Sequence, residues 1–210
     1  MRFHPLRWFR DMSLTRKLTL SFAVLVALNG GLGLFALRGT SQVHAVASEI
    51  GERWLPTTRH ALAVSRGVAD FRVVEGLHVA TTSGGDKSAY EAELDVHEQT
   101  IAKELTPLKA LLRTAEDSAA YAEFDSTWTQ YRALHDTLVA HSRAGHTDSA
   151  FVVLSEAQQD LYDRATAALG RLAEAAAAGT SAQMAVSAST YGIAQRSVGG
   201  ALVGCVLFGA

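Results

Sequence analysis

The feature that most constrains this chain is LTLSFAVLVALNGGLGLFAL, residues 18–37, twenty residues without one charged side chain. At about 1.5 Å of rise per residue such a run spans the roughly 30 Å hydrocarbon core of a bilayer. In lipid a single segment satisfies its own backbone groups only as a helix, so a transmembrane helix is predicted over 18–37. A cleaved signal peptide competes, because Ala45-Val46-Ala47 is an A-x-A triplet. Against it, the run exceeds the roughly 7–15 apolar residues of a signal core, and Arg38 and further residues separate it from the triplet. Residues 1–17 carry Arg2, Arg7, Arg10, Arg16 and Lys17 against the single acid Asp11. Basic residues beside a span stay in the cytoplasm, which makes 1–17 a cytoplasmic segment and sends 38–196 outside. The chain closes on SVGGALVGCVLFGA, residues 197–210. Fourteen apolar residues are too few to span, and the run reads as the truncated start of a second transmembrane helix; a short helix packed on the first span is the alternative.

The segment between carries four seams at heptad spacing. Val43, Ala47, Ile50, Trp54, Thr57, Ala61, Val64, Val68, Phe71, Glu75 and His78 mark a first helix. Tyr90, Leu94, His97, Ile101, Leu105 and Leu108 mark a second, and Tyr121, Phe124, Trp128, Tyr131, His135 and Leu138 a third. A fourth runs from Phe151 through Leu154, Gln158, Leu161, Ala165, Ala168, Leu172, Ala175, Gly179, Ala182, Val186 and Ser189 to Ile193. Such spacing is the signature of helices packed along one face. The breaks TSGGDKS (82–88), RTAEDS (113–118) and RAGHTDS (143–149) each end in a residue suited to cap the next helix. Pro56 and Pro107 fall inside periodic stretches, predicting a kink at each or an early end to the second helix. Short turns force neighbours to run antiparallel, so the expected fold is all-α: an up-down-up-down four-helix bundle flanked by transmembrane helices.

Composition removes several functions. Residues 38–196 hold fourteen basic and twenty acidic side chains, so there is no basic surface for nucleic acid. The single cysteine, Cys205, allows neither a disulfide nor a zinc or haem motif. Glu75-Gly76-Leu77-His78 has the Glu-x-x-His spacing of di-iron bundles, but no second copy exists in the chain, so no metal or cofactor is expected. No nucleophile, phosphate-binding or dinucleotide motif is present, and no catalytic residue is assigned. Measured down from the turns, Glu75, His97, His135 and Gln158 fall within about 14–20 Å of one end, all on seam positions. They are expected either as one polar layer across the bundle, coupling histidine charge to packing or presenting imidazoles to a metal, or as separately hydrated flanking side chains.

The lead-in MSLTRKLTLSF, the Trp54-Leu55-Pro56 step, DFRVVEGLHVATTS, the Trp128 and Tyr131 pair and HSRAGHTDSA together resemble the four-helix-bundle sensor region of methyl-accepting chemotaxis proteins. The resemblance implies a homodimer in a bacterial inner membrane with residues 38–196 periplasmic. It implies a small-molecule ligand, bound directly or through a periplasmic binding protein, and a displacement of the fourth helix and second span. That displacement would reach cytoplasmic signalling proteins through a HAMP linker and coiled coil following residue 210. The same bundle heads some histidine kinases and cyclic-nucleotide enzymes, and a small stand-alone membrane protein is a further alternative. The resemblance also points to helix-one arginines as ligand-binding residues, here Arg59, Arg66 and Arg72, with Arg66 the closest match. Asp70 stands one turn after Arg66 where another basic residue would help, which favours an Arg66–Asp70 pair over capture of an acidic amino acid.

Overall fold

Turn chemistry sets the helix boundaries. The structure, a computed structural model, describes residues 13–209; the expected cytoplasmic residues through Met12, and the side chains of Ser197, Val198 and 201–210 in the expected second span, lie outside the described residues. Helix α1 covers Leu14–Glu49, a π-helical turn Ile50–Trp54 follows, and α2 runs Leu55–Ala80. Helix α3 is Gly84–Leu111, α4 Ala115–Arg143 and α5 the short Thr147–Val152; a second π-helical turn, Val153–Ala157, leads into α6, Gln158–Gly209. Among the described residues there is no strand. The chain belongs to the all-α class, with α2, α3, α4 and α6 as the four helices of the bundle.

The caps fall earlier than the turn motifs imply. Ser83 caps α3 by accepting from the Asp86 amide at 3.3 Å. Thr114 caps α4 in a reciprocal box with Asp117, the Asp117 amide donating to Thr114 Oγ1 at 3.0 Å and the Thr114 amide to Asp117 Oδ2 at 3.2 Å. No side chain caps α5; there Gly145, at φ 76°, ends α4 in the left-handed conformation that costs glycine nothing. Pro56 follows the first π-helical turn inside an unbroken helical run, where its missing N–H withdraws one backbone hydrogen bond beside the turn. Pro107 lies inside α3, which ends four residues later at Leu111.

The chain forms two compact units, Ser48–Ala182 and a second made of Met1–Ala47 with Gln183–Ala210. In the second unit, the helical run that begins at Leu14 contains an 18-residue window of mean hydropathy 2.0 with no buried residue, long and apolar enough to cross a membrane. In the first, the seams meet. Ala61, Val64, Val68, Phe71 and Val74 of α2 pack with Leu94, Ile101 and Leu108 of α3, Phe124, Trp128 and Tyr131 of α4, and Leu161, Ala165, Ala168, Leu169 and Leu172 of α6. Gly67 is what lets α3 approach α2, since a Cβ there would lie 2.8 Å from Ile101 Cγ1. A smaller cluster of Val79, Leu138, Val139 and Ala150 closes the end nearest α5.

One expectation fails at that end. Phe151, the first residue of the fourth seam, is 58% exposed, and Ala150 takes the inward place at 0%. The cause is the π-helical turn: its wider hydrogen bonds accommodate one extra residue, so the periodicity of α6 cannot be extrapolated back through 153–157. From Ala182 on, the fourth seam also stops burying its members, and Ala182, Val186, Ser189 and Ile193 are exposed.

Candidate functional site

Glu75 is a carboxylate in the middle of the apolar packing, with no exposure. Left alone there it would cost several kcal/mol, so its partners decide whether the fold tolerates it. Three donors converge on it from two other helices. Tyr131 O–H of α4 donates to Oε2 in a short hydrogen bond. His135 Nδ1, one turn on, lies 2.7 Å from Oε1, and Gln158 Nε2 of α6 donates to the same oxygen at 3.1 Å. Gln158 Nε2 is also 3.4 Å from the Tyr131 carbonyl, which ties α6 to α4. The rings are fixed by packing: Phe71 meets Trp128 edge-on at 5.4 Å, Trp128 stacks on Tyr131 at 5.3 Å, and Phe71 lies 4.9 Å from the His135 ring. Burial, and then the Glu75 carboxylate beside it, push the Tyr131 phenol well above its usual range, so it stays a donor at any physiological pH.

Arg72 flanks this knot from α2. Its Nη2 donates to the Leu154 carbonyl at 3.0 Å and to Gln159 Oε1 at 2.7 Å, and its guanidinium stands 4.9 Å over the Tyr162 ring. Its Nη1 is buried without a hydrogen bond, as is Gln158 Oε1.

Of the expected polar layer, Glu75, His135 and Gln158 are brought together and His97 is not. On α3 the inward positions are Leu94, Ile101 and Leu108, one per heptad, leaving His97 at the flank, where Nε2 lies 3.7 Å from Glu93 of the same helix. The residue that sequence reasoning left out of the layer is Tyr131. A tyrosine in the middle of an inward-facing seam, one turn before a histidine, was the available signal, because a buried hydroxyl needs a partner. The three arginines also separate. Arg72 turns into the bundle, whereas Arg59 and Arg66 sit on the outer face of α2; Arg66 has its side chain 85% exposed and is paired with Asp70 at 3.8 Å.

Two further carboxylate–histidine contacts tie α2 to α3. His60 Nδ1 is 2.6 Å from Glu104, and the buried His78 is 3.0 Å from Glu91 through Nε2. Arg143 of α4 clamps the same Glu91 through Nε at 2.6 Å and Nη2 at 2.5 Å. The Arg143 bond, followed by that of His78, outweighs burial and holds the Glu91 carboxyl down to about 2. Lys87 adds a tie across the same end, donating to the Ser142 carbonyl and, at 2.8 Å, to its hydroxyl, which donates in turn to the His78 carbonyl at 2.9 Å. Between α3 and α4 these groups border a cleft of about 360 Å³ lined by Glu91, Leu94, Asp95, His135, Asp136, Val139, Ala140 and Arg143. His135 thus faces the cleft while holding the buried Glu75. Among the described residues no group of three or more histidine, cysteine or acidic side chains is arranged to hold a metal ion.

A family of four-helix-bundle sensory modules for signal transduction matches residues 11–191. The chain belongs to that family. The match covers α2, α3, α4, the part of α6 up to residue 191 and the apolar run of residues 18–37, and the module is a signal-transduction sensor. No curated protein matches the chain.

Proposed function

We propose that the chain is the sensing part of a transmembrane chemoreceptor that works as a homodimer, its bundle outside the membrane. One observation carries this reading beyond the family: an apolar stripe on the outside of α2. Leu55, Leu62, Val73 and Leu77 are 64%, 56%, 62% and 45% exposed, and Arg59 and Arg66 interrupt them at heptad spacing. A helix that buries one face in its own bundle and leaves a second apolar stripe at heptad spacing suits a second copy of the same helix. Arg59 and Arg66 would then stand at the edge of the dimer seam, where a guanidinium from each copy could grip a ligand carboxylate in paired hydrogen bonds. Basic residues at the N-terminal side, including Arg16 and Lys17, favour an inside N-terminus. The signal would leave through α6 toward a chemotactic or an enzymatic output.

The test uses the full chain in membranes with Cys205→Ser. Leu62→Cys is expected to give disulfide-linked dimers under mild oxidation, while Glu93→Cys, on the exposed face of α3, gives few. Equal cross-linking at both positions, or none at Leu62→Cys, would remove the dimer seam. Thermal shifts with a panel of amino acids and small organic acids, repeated on Arg66→Ala, then separate direct capture of a carboxylate from recognition of a binding protein.

A further inference from the structure

The π-helical turn at Val153–Ala157 is held open by another helix. In an α-helix the amide of Gln158 would donate to the carbonyl of Leu154; here it reaches back one residue further, to Val153. The Leu154 carbonyl is left without its helical donor, and Arg72 Nη2 supplies one at 3.0 Å. The same Arg72 is anchored on Gln159 at 2.7 Å, and Gln158, the first residue past the turn, is locked on Glu75. Both sides of the turn are therefore tied to α2.

The sequence fits a second arrangement. An uninterrupted helix would continue the seam of α6 upward through Gln158 to Leu154 and Phe151, placing Phe151 inward. The observed turn places Ala150 inward and leaves Phe151 and Val152 at 58% and 49% exposure. The two arrangements differ by one residue, a rotation of about 100° and a rise of about 1.5 Å. Rotation is blocked below the turn, where Leu161, Ala165, Ala168, Leu169 and Leu172 are all at most 8% exposed. Above it, α5 is six residues long with Ala150 its only buried residue. The freedom lies on the upper side.

We propose that α5 and the π-helical turn form a two-register switch, latched by Arg72 in the register with Ala150 inward. Releasing Arg72 closes the turn into regular α-helix and rolls Phe151 against Val79, Leu138 and Val139. In this way the packing at the end of the bundle is set by a side chain of α2.

The experiment measures maleimide labelling of the full chain in membranes with Cys205→Ser, comparing Ala150→Cys and Ala165→Cys, each with Arg72 and with Arg72→Met. With Arg72 both thiols are expected to react slowly, since at 0% exposure each waits for local opening. With Arg72→Met, labelling of Ala150→Cys is expected to speed up roughly tenfold or more, while Ala165→Cys stays slow, because only the upper segment turns. If both stay slow, Arg72 does not hold the register and the proposal fails. If both speed up, the variant has opened generally and a deletion decides. Removing the exposed Ser155 takes out the extra residue and should restore a regular helix with Ala150 still inward. In that background Arg72→Met is expected to lower the melting temperature by less than half as much as it does with Ser155 present; an undiminished loss would overturn the latch.

Discussion

Gly179→Ala tests whether α6 meets the start of α2 as closely as the backbone implies. A Cβ on Gly179 would lie 2.7 Å from Cε2 and Cζ2 and 2.8 Å from Cδ2 of the Trp54 indole. That is well inside van der Waals contact, and the neighbour is a rigid ring carrying the Arg53 guanidinium 3.9 Å above it. Two effects oppose. Alanine is about 1 kcal/mol better than glycine in a helix interior. Overpacking a site with no room to relax costs about 1–3 kcal/mol. The clash should win, with a net loss of about 1 kcal/mol. The decisive experiment is a double-mutant cycle by denaturant unfolding with Trp54→Ala. With the ring gone only the propensity remains, and Gly179→Ala should now stabilise by about 1 kcal/mol. A sign reversal between the two backgrounds is the expected result. If Gly179→Ala stabilises equally in both, the helices are not in contact at this point and the reasoning is wrong.

Thr114→Ala removes one half of the reciprocal cap on α4 and should cost about 1 kcal/mol in unfolding free energy, while Thr114→Ser, which keeps the capping hydroxyl, should be nearly neutral. Glu91 carries an acid-sensitive contribution. Its carboxyl is lowered from 4.5 to about 2, chiefly by the Arg143 hydrogen bond, so the stabilisation is complete above the unfolded value and disappears as pH falls from about 4.5 toward 2. Since the Arg143 side chain is 62% exposed, solvent screening limits it to about 1 kcal/mol. Unfolding curves of the parent and of Glu91→Gln should therefore differ at pH 6 and draw together as pH falls to about 2. For the His60–Glu104 contact, replacing both residues by leucine should cost less than replacing Glu104 alone, because the single change strands a largely buried imidazole; equal costs from the two variants would refute a coupled pair.

The apolar seams were legible because burial recurs with the helical period, and Ala61, Val64, Val68 and Phe71 fall where the period puts them. A period says which positions repeat but not where a helix skips one. The extra residue at 153–157 leaves no trace in composition, and Phe151 is as apolar as the position it was assigned to. What holds that residue in place is an arginine 82 positions earlier in the chain, whose hydrogen bond to a backbone carbonyl no local pattern encodes. The polar layer was legible for the opposite reason. Glu75 and Gln158 stand on otherwise apolar seams, and a polar side chain there needs a partner on a facing seam. His97 met the same condition less strictly. It shares a helix face with Leu94 and Ile101 but sits half a heptad from each, and the α3 seam is narrow enough to leave such a position in water. Arg59, Arg66 and Arg72 were grouped by resemblance. Seven residues separate the first two and six the last two, so Arg72 lies on a different face of the same helix.

The location of the polar contacts has a structural logic. His60, Glu75 and His78 all belong to α2, and their partners Glu104, His135 and Glu91 lie on α3 and α4. What α2 contributes to the seam, Phe71 apart, is alanine and valine, small side chains whose contacts with Leu94, Ile101, Leu108 and the rings of α4 are nearly as good after a shift along the helix. Apolar packing of that kind supplies affinity between helices but little choice of register. A histidine–carboxylate pair is satisfied in one register alone, and a one-heptad slip would leave its buried member, His60, Glu75 or His78, without its partner at a cost of several kcal/mol. The pairs therefore act as register pins along an otherwise slippery seam, and they concentrate on the helix whose outer face carries the exposed apolar stripe. A shift of α2 imposed from outside the bundle cannot be absorbed by sliding. It must pass through the pins to α3 and α4 and, through Arg72 and Glu75, to the head of α6.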